Sequence, residues 1–286
     1  MATSSNKQNL FQYKGCNFIK NIHQLEHLEK VHQFEIKETD VIAVTYPKSG
    51  TIWMQQILSL IYSDGDLSGV QSKQAIYRIP WMEVPINNFQ ELPSPRLCVT
   101  HLPYRLIPKD LRKGNGKVIY LTRNPKDIAV SLYHFQNYVT FLESPSKFED
   151  FLEEFIDGDV IYSSWFDHIR DWYNHKDEFD FLFLSYEETK KDLRTTITKI
   201  CDFLGRKLGE DKLDIVVEES TFKAMSNNPM ANYKDLENKN PNGSFLRKGI
   251  IGDWKTHFTV AQSEKFDKIF QEKMKGFPFK FTWDSK

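Results

Sequence analysis

The chain has 286 residues, of which 38 are Lys or Arg and 39 are Asp or Glu, so its formal net charge is −1. This charge balance argues against a general nucleic-acid-binding protein, and no window approaches the ~20 apolar residues of a membrane-spanning helix. The first residues hold no apolar stretch of signal-peptide length and the three cysteines lie far apart, so we expect no disulfide framework and a cytoplasmic location.

The predicted elements alternate along the chain. Strands are predicted near 40–46, 96–100, 117–122 and 179–184, and helices near 51–63, 124–138, 147–175, 188–204, 209–219 and 260–275. This alternation predicts an α/β fold with a central, mostly parallel sheet flanked by helices. We expect a single domain over 1–286, with 1–35 as an N-terminal extension packing on it, although two smaller domains also fit the length.

The first predicted strand leads directly into a loop of small residues around Lys48, and an apolar helix begins at Thr51. Free backbone N–H groups at the start of that helix, its dipole and the Lys48 ammonium would converge on one anion. The alternative is an ordinary strand, turn and helix with a surface lysine. The lysine precedes Gly50, so this is not a Walker-type loop, and no metal-binding motif is present.

The third predicted strand ends at Arg123, and Asn124 is predicted to cap the next helix with Pro125 at its first position. Ligands of open α/β sheets bind at the carboxyl edge, so Lys48 and Arg123 should face one crevice. Ser131 lies about two helical turns further on and could join Arg123 in binding a phosphate. The long stretch 227–249 is rich in Asn, Pro and Gly and is predicted to be a functional loop.

Five motifs, in the same order, resemble those of the cytosolic sulfotransferases. They are residues 46–53, 100–103, 123–127 and 228–230, and then 245–249 followed by 252–255. The resemblance covers all but the first few tens of residues. It implies transfer of a sulfuryl group from 3′-phosphoadenosine 5′-phosphosulfate (PAPS) to the hydroxyl or amine of a small hydrophobic acceptor, which could be an amine, a phenol or a steroid, without a metal.

The resemblance also assigns residues to PAPS. The loop at the 5′ side comprises Lys48, Ser49, Gly50, Thr51, Ile52 and Trp53. The 3′-phosphate is assigned to Arg123 and Ser131, helped by the loop carrying Arg247, Lys248 and Gly249, and Phe245 and Leu246 of the same motif are also assigned to the cofactor. The adenine is assigned to Trp53, Tyr186, Ser220, Thr221, Phe222, Lys223, Ala224 and Met225. Without the resemblance, the aromatic residues would be interpreted as core and Arg247 and Lys248 as a solvated pair.

His101 is the catalytic candidate, although a lone histidine is more often structural. It follows a predicted strand and so lies at the same edge as Lys48, and the resemblance makes it the general base that deprotonates the acceptor. Lys48 would stabilise charge on the leaving phosphate, and Ser131 would restrain Lys48 until the acceptor arrives. The resemblance builds the acceptor pocket from Trp81, Met82, Val84, Val99, Thr100, His101, Phe135, Val139 and Tyr233. Glu83 could attract an amine or could be a solvated loop residue.

A short segment near the C-terminus matches the dimer motif of the family through Lys255, Thr259, Val260 and Glu264, which implies a homodimer. The alternative is that Thr259 only caps the last helix.

Two positions depart from the pattern of the family. Val99 replaces a lysine common in many members, and Ile52 replaces a second threonine of the loop. We expect these departures to alter the rate or the acceptor preference. Together with the short 233–245 loop, Val99 and Ile52 resemble the amine-sulfating branch of the family. A catalytically weak PAPS-binding protein stays open as an alternative. An ATP-dependent small-molecule kinase is disfavoured by the missing Walker pattern.

Overall fold

The computed structural model describes residues 2–4, 7–86, 89–234, 239–240 and 243–284. Its strands are β1 (Ala2–Ser4), β2 (Leu10–Tyr13), β3 (Cys16–Ile19), β4 (Val41–Thr45), β5 (Leu97–Thr100), β6 (Lys117–Thr122) and β7 (Asp180–Ser185). Its α-helices are α1 (Leu25–Val31), α2 (Thr51–Tyr62), α3 (Leu67–Ser72), α4 (Ala75–Arg78), α5 (Pro125–Tyr138), α6 (Phe148–Asp157), α7 (Trp165–Asn174), α8 (Tyr186–Lys191), α9 (Leu193–Leu204), α10 (Glu210–Glu219), α11 (Phe222–Asn227) and α12 (Val260–Lys273).

The central sheet has the strand order β5-β4-β6-β7, and its neighbouring strands are parallel. Strand β4 lies between β5 and β6, so Ile42 pairs with Cys98 on one side and Val118 on the other. The chain therefore leaves β4 towards one neighbour and later returns to the other. This arrangement opens a crevice at the carboxyl end of β4, where ligands of such sheets bind.

Helices cover both faces of the sheet. On one face, Val41, Ala43 and Ile119 pack with residues of α2, α9 and α10. On the other face, Val44 and Tyr120 pack with residues of α5, α6, α7 and α12. Side chains of successive strand residues point to opposite faces, and both faces are apolar here because both are covered. The predicted α/β fold with a parallel sheet flanked by helices is confirmed.

The predicted continuous helix over 147–175 is wrong. Helix α6 ends at Asp157 because Gly158 adopts a φ of +79°, and α7 starts only after Ser164. A Cβ on Gly158 would lie 2.9 Å from the backbone N of Ser164, so the turn depends on glycine. Similarly, Asp192 interrupts the predicted helix over 188–204 by capping α9.

The first residues form elements that the sequence pattern did not predict. Strands β1, β2 and β3 form a separate antiparallel sheet, and α1 follows it. Leu10, Phe18 and Leu28 from this region share a hydrophobic cluster with the β4 residue Val44.

The division of the chain into domains stays a prediction. Among the described helices, none combines the length and apolar character needed to span a bilayer.

Candidate active site

A cavity of about 510 Å³ opens at the carboxyl edge of the central sheet. Its lining includes a residue just beyond the end of each strand of this sheet: Pro47 lies two positions after β4, and His101, Arg123 and Tyr186 come directly after β5, β6 and β7. Because parallel strands end at the same edge, four distant parts of the chain meet at one site.

The loop between β4 and α2 presents unpaired backbone donors to this cavity. Lys48 and Gly50 adopt φ values of +68° and +110°, and the first helical hydrogen bond runs from the N–H of Met54 to the carbonyl of Gly50. No described side chain caps α2. The N–H groups at its first positions therefore lack helical partners, and an anion at this point would accept from them.

Lys48 lies between two aromatic rings and close to other cations. Its Nζ is 4.5 Å from the ring centroid of Phe135 and 4.1 Å from that of Phe245. Burial, followed by the positive charges of Arg123 and Arg247, lowers the pKa of Lys48 to about 7. The energetic cost of this unneutralised charge makes the site receptive to an anion.

Arg123 joins the loop of Lys48 to the segment that follows residue 245. Its Nη1 donates to the carbonyl of Lys48 at 3.0 Å, and its Nη2 donates to the carbonyl of Ile250 at 3.1 Å. The guanidinium lies 4.2 Å from the ring centroid of Tyr186. Its Nε is buried and has no hydrogen-bond partner among the described residues. Ser131 lines the same cavity, so the two residues predicted to bind one phosphate do share a site.

His101 is oriented by the end of strand β4. Its Nδ1 lies 2.5 Å from the carbonyl oxygen of Thr45 and donates to it, which assigns the proton to Nδ1. Nε2 then carries the lone pair that a base needs, and the ring lies against that of Trp81 with centroids 4.6 Å apart. Burial lowers the pKa of His101 to about 3, so its imidazole is neutral at physiological pH.

Glu83 holds the backbone of His101 in place. Its carboxylate is completely buried and accepts from the N–H of His101 at 2.8 Å, from Thr100 Oγ1 at 2.7 Å and from the Tyr162 hydroxyl at 3.1 Å. His23 Nε2 lies 2.8 Å from that hydroxyl and extends the network. Burial raises the pKa of Glu83. The expectation of a solvated loop residue is wrong, and the carboxylate is occupied by these three donors.

Aromatic rings gather at the other end of the cavity. The rings of Trp53 and Tyr186 meet edge to face with centroids 5.1 Å apart, and Trp53 Nε1 donates to the carbonyl of Ser220 at 2.7 Å. Gly249 has a φ of +62°, and a Cβ there would lie 2.2 Å from Cδ2 of Phe222. The backbone at Gly249 therefore touches the Phe222 ring, as only glycine allows.

Most residues predicted for PAPS and for the acceptor line this cavity. They are Lys48, Gly50, Thr51, Ile52, Trp53, Trp81, Val84, His101, Arg123, Ser131, Phe135, Tyr186, Phe222, Met225, Tyr233, Phe245, Leu246, Arg247, Lys248 and Gly249. Their individual roles stay predictions.

Other predicted residues lie outside the lining. They are Ser49, Met82, Val99, Thr100, Val139, Ser220, Thr221, Lys223 and Ala224. Val99 is buried between the sheet and α2, and the Thr100 hydroxyl is bound to Glu83. Thr221 accepts from the N–H of Ala224 as the cap of α11. Contacts of these residues with a ligand stay predictions, because none of the residues lines this cavity.

The sequence interpretation missed several lining residues. They are Ile19, Asn21, Ile22, His23, Gln24, Ile76, Pro85, Ile86, Phe141, Ile161, Tyr162, Lys190 and Ile250. Five of them follow or end strand β3, in the N-terminal region where no motif signalled a site. Within the described ranges, no group of three or more His, Cys, Asp or Glu residues is arranged to hold a metal ion.

Comparisons with known proteins agree with the motifs. A family model described as a sulfotransferase domain matches residues 38–278. The amine sulfotransferase of Oryctolagus cuniculus is 48% identical over 98% of this chain and 95% of its own length. The 3-beta-hydroxysteroid sulfotransferase of Cavia porcellus is 44% identical over 96% of this chain and 98% of its own. The crystal structure of mouse sulfotransferase SULT7A1 complexed with PAP superposes with a TM-score of 0.79, at 31% identity over 94% of this chain and 95% of that one.

Proposed function

Because the chain belongs to the sulfotransferase family and is a PAPS-dependent enzyme, we propose that it transfers the sulfuryl group of PAPS to a small hydrophobic amine, phenol or steroid, with His101 as the base. The observation that carries the proposal is that His101, Lys48 and Arg123, although far apart in the sequence, line the same cavity. Family membership gives no support to the kinase alternative.

The chemistry follows from the state of each group. His101 Nε2 takes the proton of the acceptor hydroxyl or amine while the acceptor forms a bond to sulfur and the bond from sulfur to the bridging oxygen breaks. Because the imidazole is neutral and its Nδ1 donates to the carbonyl of Thr45, the lone pair of Nε2 is unoccupied and can accept that proton. Lys48 and the unpaired N–H groups at the start of α2 stabilise the charge that develops on the leaving phosphate.

The acceptor end of the cavity supports a hydrophobic substrate. Trp81, Val84, Phe135, Phe141 and Tyr233 contribute apolar or aromatic side chains. The rabbit and guinea-pig relatives are named for amines and for 3-beta-hydroxysteroids, so both classes are candidates, and we favour amines on the greater identity. The departures at Val99 and Ile52 predict a changed rate or acceptor preference.

Two further features complete the proposal. All three cysteines are free thiols, which suits a reducing compartment, and we place the enzyme in the cytoplasm.

A homodimer would form through Lys255, Thr259, Val260 and Glu264. Val260 is 76% exposed and available for such a contact, while Thr259 forms a capping box with Gln262 at the start of α12. Thr259 therefore does cap α12, which is compatible with both interpretations, and the homodimer stays a prediction.

The experiment is a transfer assay with labelled PAPS and a panel of arylamines, naphthols and hydroxysteroids, run beside ATP with magnesium as the alternative donor. Sulfated product from PAPS alone supports the proposal, and the best acceptor identifies the substrate class. Phosphorylated product from ATP would overturn it. Tight binding of PAPS without any product across the panel would favour the catalytically weak alternative.

A further inference from the structure

The two cations at the rim of the nucleotide site share one buried carboxylate. Arg247 Nη2 and Lys248 Nζ form ion pairs with the two oxygens of Asp253, the second at 2.6 Å. The Asp253 side chain is 3% exposed and is absent from the cavity lining, whereas both cations line the cavity. The carboxylate therefore lies behind the two cations and leaves their cavity side open to a ligand.

The backbone on either side of Asp253 is itself fixed to the start of helix α5. The N–H groups of its neighbours Gly252 and Trp254 donate to the two carboxylate oxygens of Asp127, at 2.8 Å and 3.0 Å. Asp127 lies in the first turn of α5, just after Arg123. One continuous set of contacts thus sets the position of Arg247 and Lys248 relative to Arg123.

Two guanidinium groups of this site have unused donors. The Nε atoms of Arg123 and Arg247 are both buried, and neither has a hydrogen-bond partner among the described residues. A buried donor without a partner is costly, and both residues line the cavity. Both guanidinium groups are therefore cations with unsatisfied donor capacity in the wall of the cavity, which favours an anionic ligand there.

We propose that Asp253 is a positioning residue for the 3′-phosphate of PAPS: it holds Arg247 and Lys248 from behind, in the orientation that this phosphate requires. The inference rests on the proposed function, because it takes PAPS as the donor. Long, flexible cationic side chains bind a phosphate best when their rotamers are already fixed. Asp253 would thereby contribute to the choice between nucleotides with and without a 3′-phosphate, although it does not contact them.

The test compares two ligands on two variants by calorimetry. The ligands are 3′-phosphoadenosine 5′-phosphate (PAP) and AMP, which lacks the 3′-phosphate. For Asp253→Asn we expect a loss of roughly tenfold or more in PAP affinity, because two long cationic side chains would then have to be ordered on binding, with AMP affinity within about twofold of wild type. The control, Asp267→Asn, also removes one negative charge but pairs with Lys126 instead, and should change neither affinity.

An equal loss of PAP and AMP affinity would show a general structural role and overturn the inference, as would unchanged or tighter PAP binding. If Asp253→Asn does not fold, Asp253→Glu keeps the charge but displaces the two cations. We expect it to reduce the ratio of PAP to AMP affinity about threefold, because the displaced cations must be reordered on binding, and an unchanged ratio would overturn the inference. A wild-type protein that did not prefer PAP to AMP would instead contradict the proposed function itself.

Discussion

Gly249 offers a sharp test of how the nucleotide site is built. Its φ of +62° is unfavourable for any residue with a Cβ, which costs about 1–2 kcal/mol. In Gly249→Ala the new Cβ would also lie 2.2 Å from Cδ2 of Phe222. Carbon atoms prefer a separation of at least about 3.5 Å, so the ring or the loop must move by roughly 1.3 Å.

The displaced ring is the one predicted to stack on the adenine. Stacking of a base on an aromatic side chain is worth about 1–3 kcal/mol, so Gly249→Ala should weaken PAP binding roughly 5-fold to 150-fold. Calorimetric titration with PAP measures this loss, and thermal unfolding measures the backbone cost separately.

Gly205→Ala is the matched control. Gly205 has nearly the same φ, +67°, but no described atom outside its immediate neighbourhood lies within 4 Å of a Cβ placed there. Both variants should lose similar stability from backbone strain, and only Gly249→Ala should lose PAP affinity. Wild-type affinity in Gly249→Ala, or an equal loss in Gly205→Ala, would refute the assignment of Phe222 and Gly249 to the nucleotide.

Three further predictions concern titratable groups. Because the pKa of Lys48 is about 7, its amine is mostly neutral at pH 8, and binding of the anionic PAP should make Lys48 take up about one proton. Calorimetry in buffers of different ionisation enthalpy detects this uptake, and the Lys48→Arg variant should take up no proton. Glu83→Gln places an amide opposite three donors, so kcat should fall by tenfold or more while the KM for PAPS stays unchanged; unaltered kcat would contradict its role in holding His101. Burial raises the pKa of Glu187 to about 7, so the native state binds the extra proton and its stability should fall as pH rises from about 4.5 to 7. Between these pH values, the free energy of unfolding should depend less on pH in Glu187→Gln than in wild type. An unchanged pH dependence would contradict this assignment.

The sequence was sufficient where the structure depends on neighbouring residues. The loop at Lys48, the capping of α5 by Asn124 and the start of α12 at Thr259 all follow from residues within a few positions of each other. The parallel sheet followed from the alternation of elements. Strand ends then brought Lys48, His101 and Arg123 to one edge without any further information.

The parts that the sequence did not predict depend on contacts between distant residues. Glu83 and Tyr162 are 79 positions apart, and their hydrogen bond can be found only once the chain has folded. Asp127 and Gly252 are 125 positions apart, so the support behind the nucleotide cations gave no local signal. The break at Gly158 was missed because one glycine in an otherwise helical pattern is usually tolerated.

Catalysis by His101 is tested most directly by measuring turnover and PAP affinity together in His101→Ala. We expect kcat to fall by at least about 100-fold while the Kd for PAP stays close to that of wild type, because the imidazole contacts the acceptor and Lys48 and Arg123 bind the nucleotide. Turnover within a few-fold of wild type would contradict the role of His101 as the base.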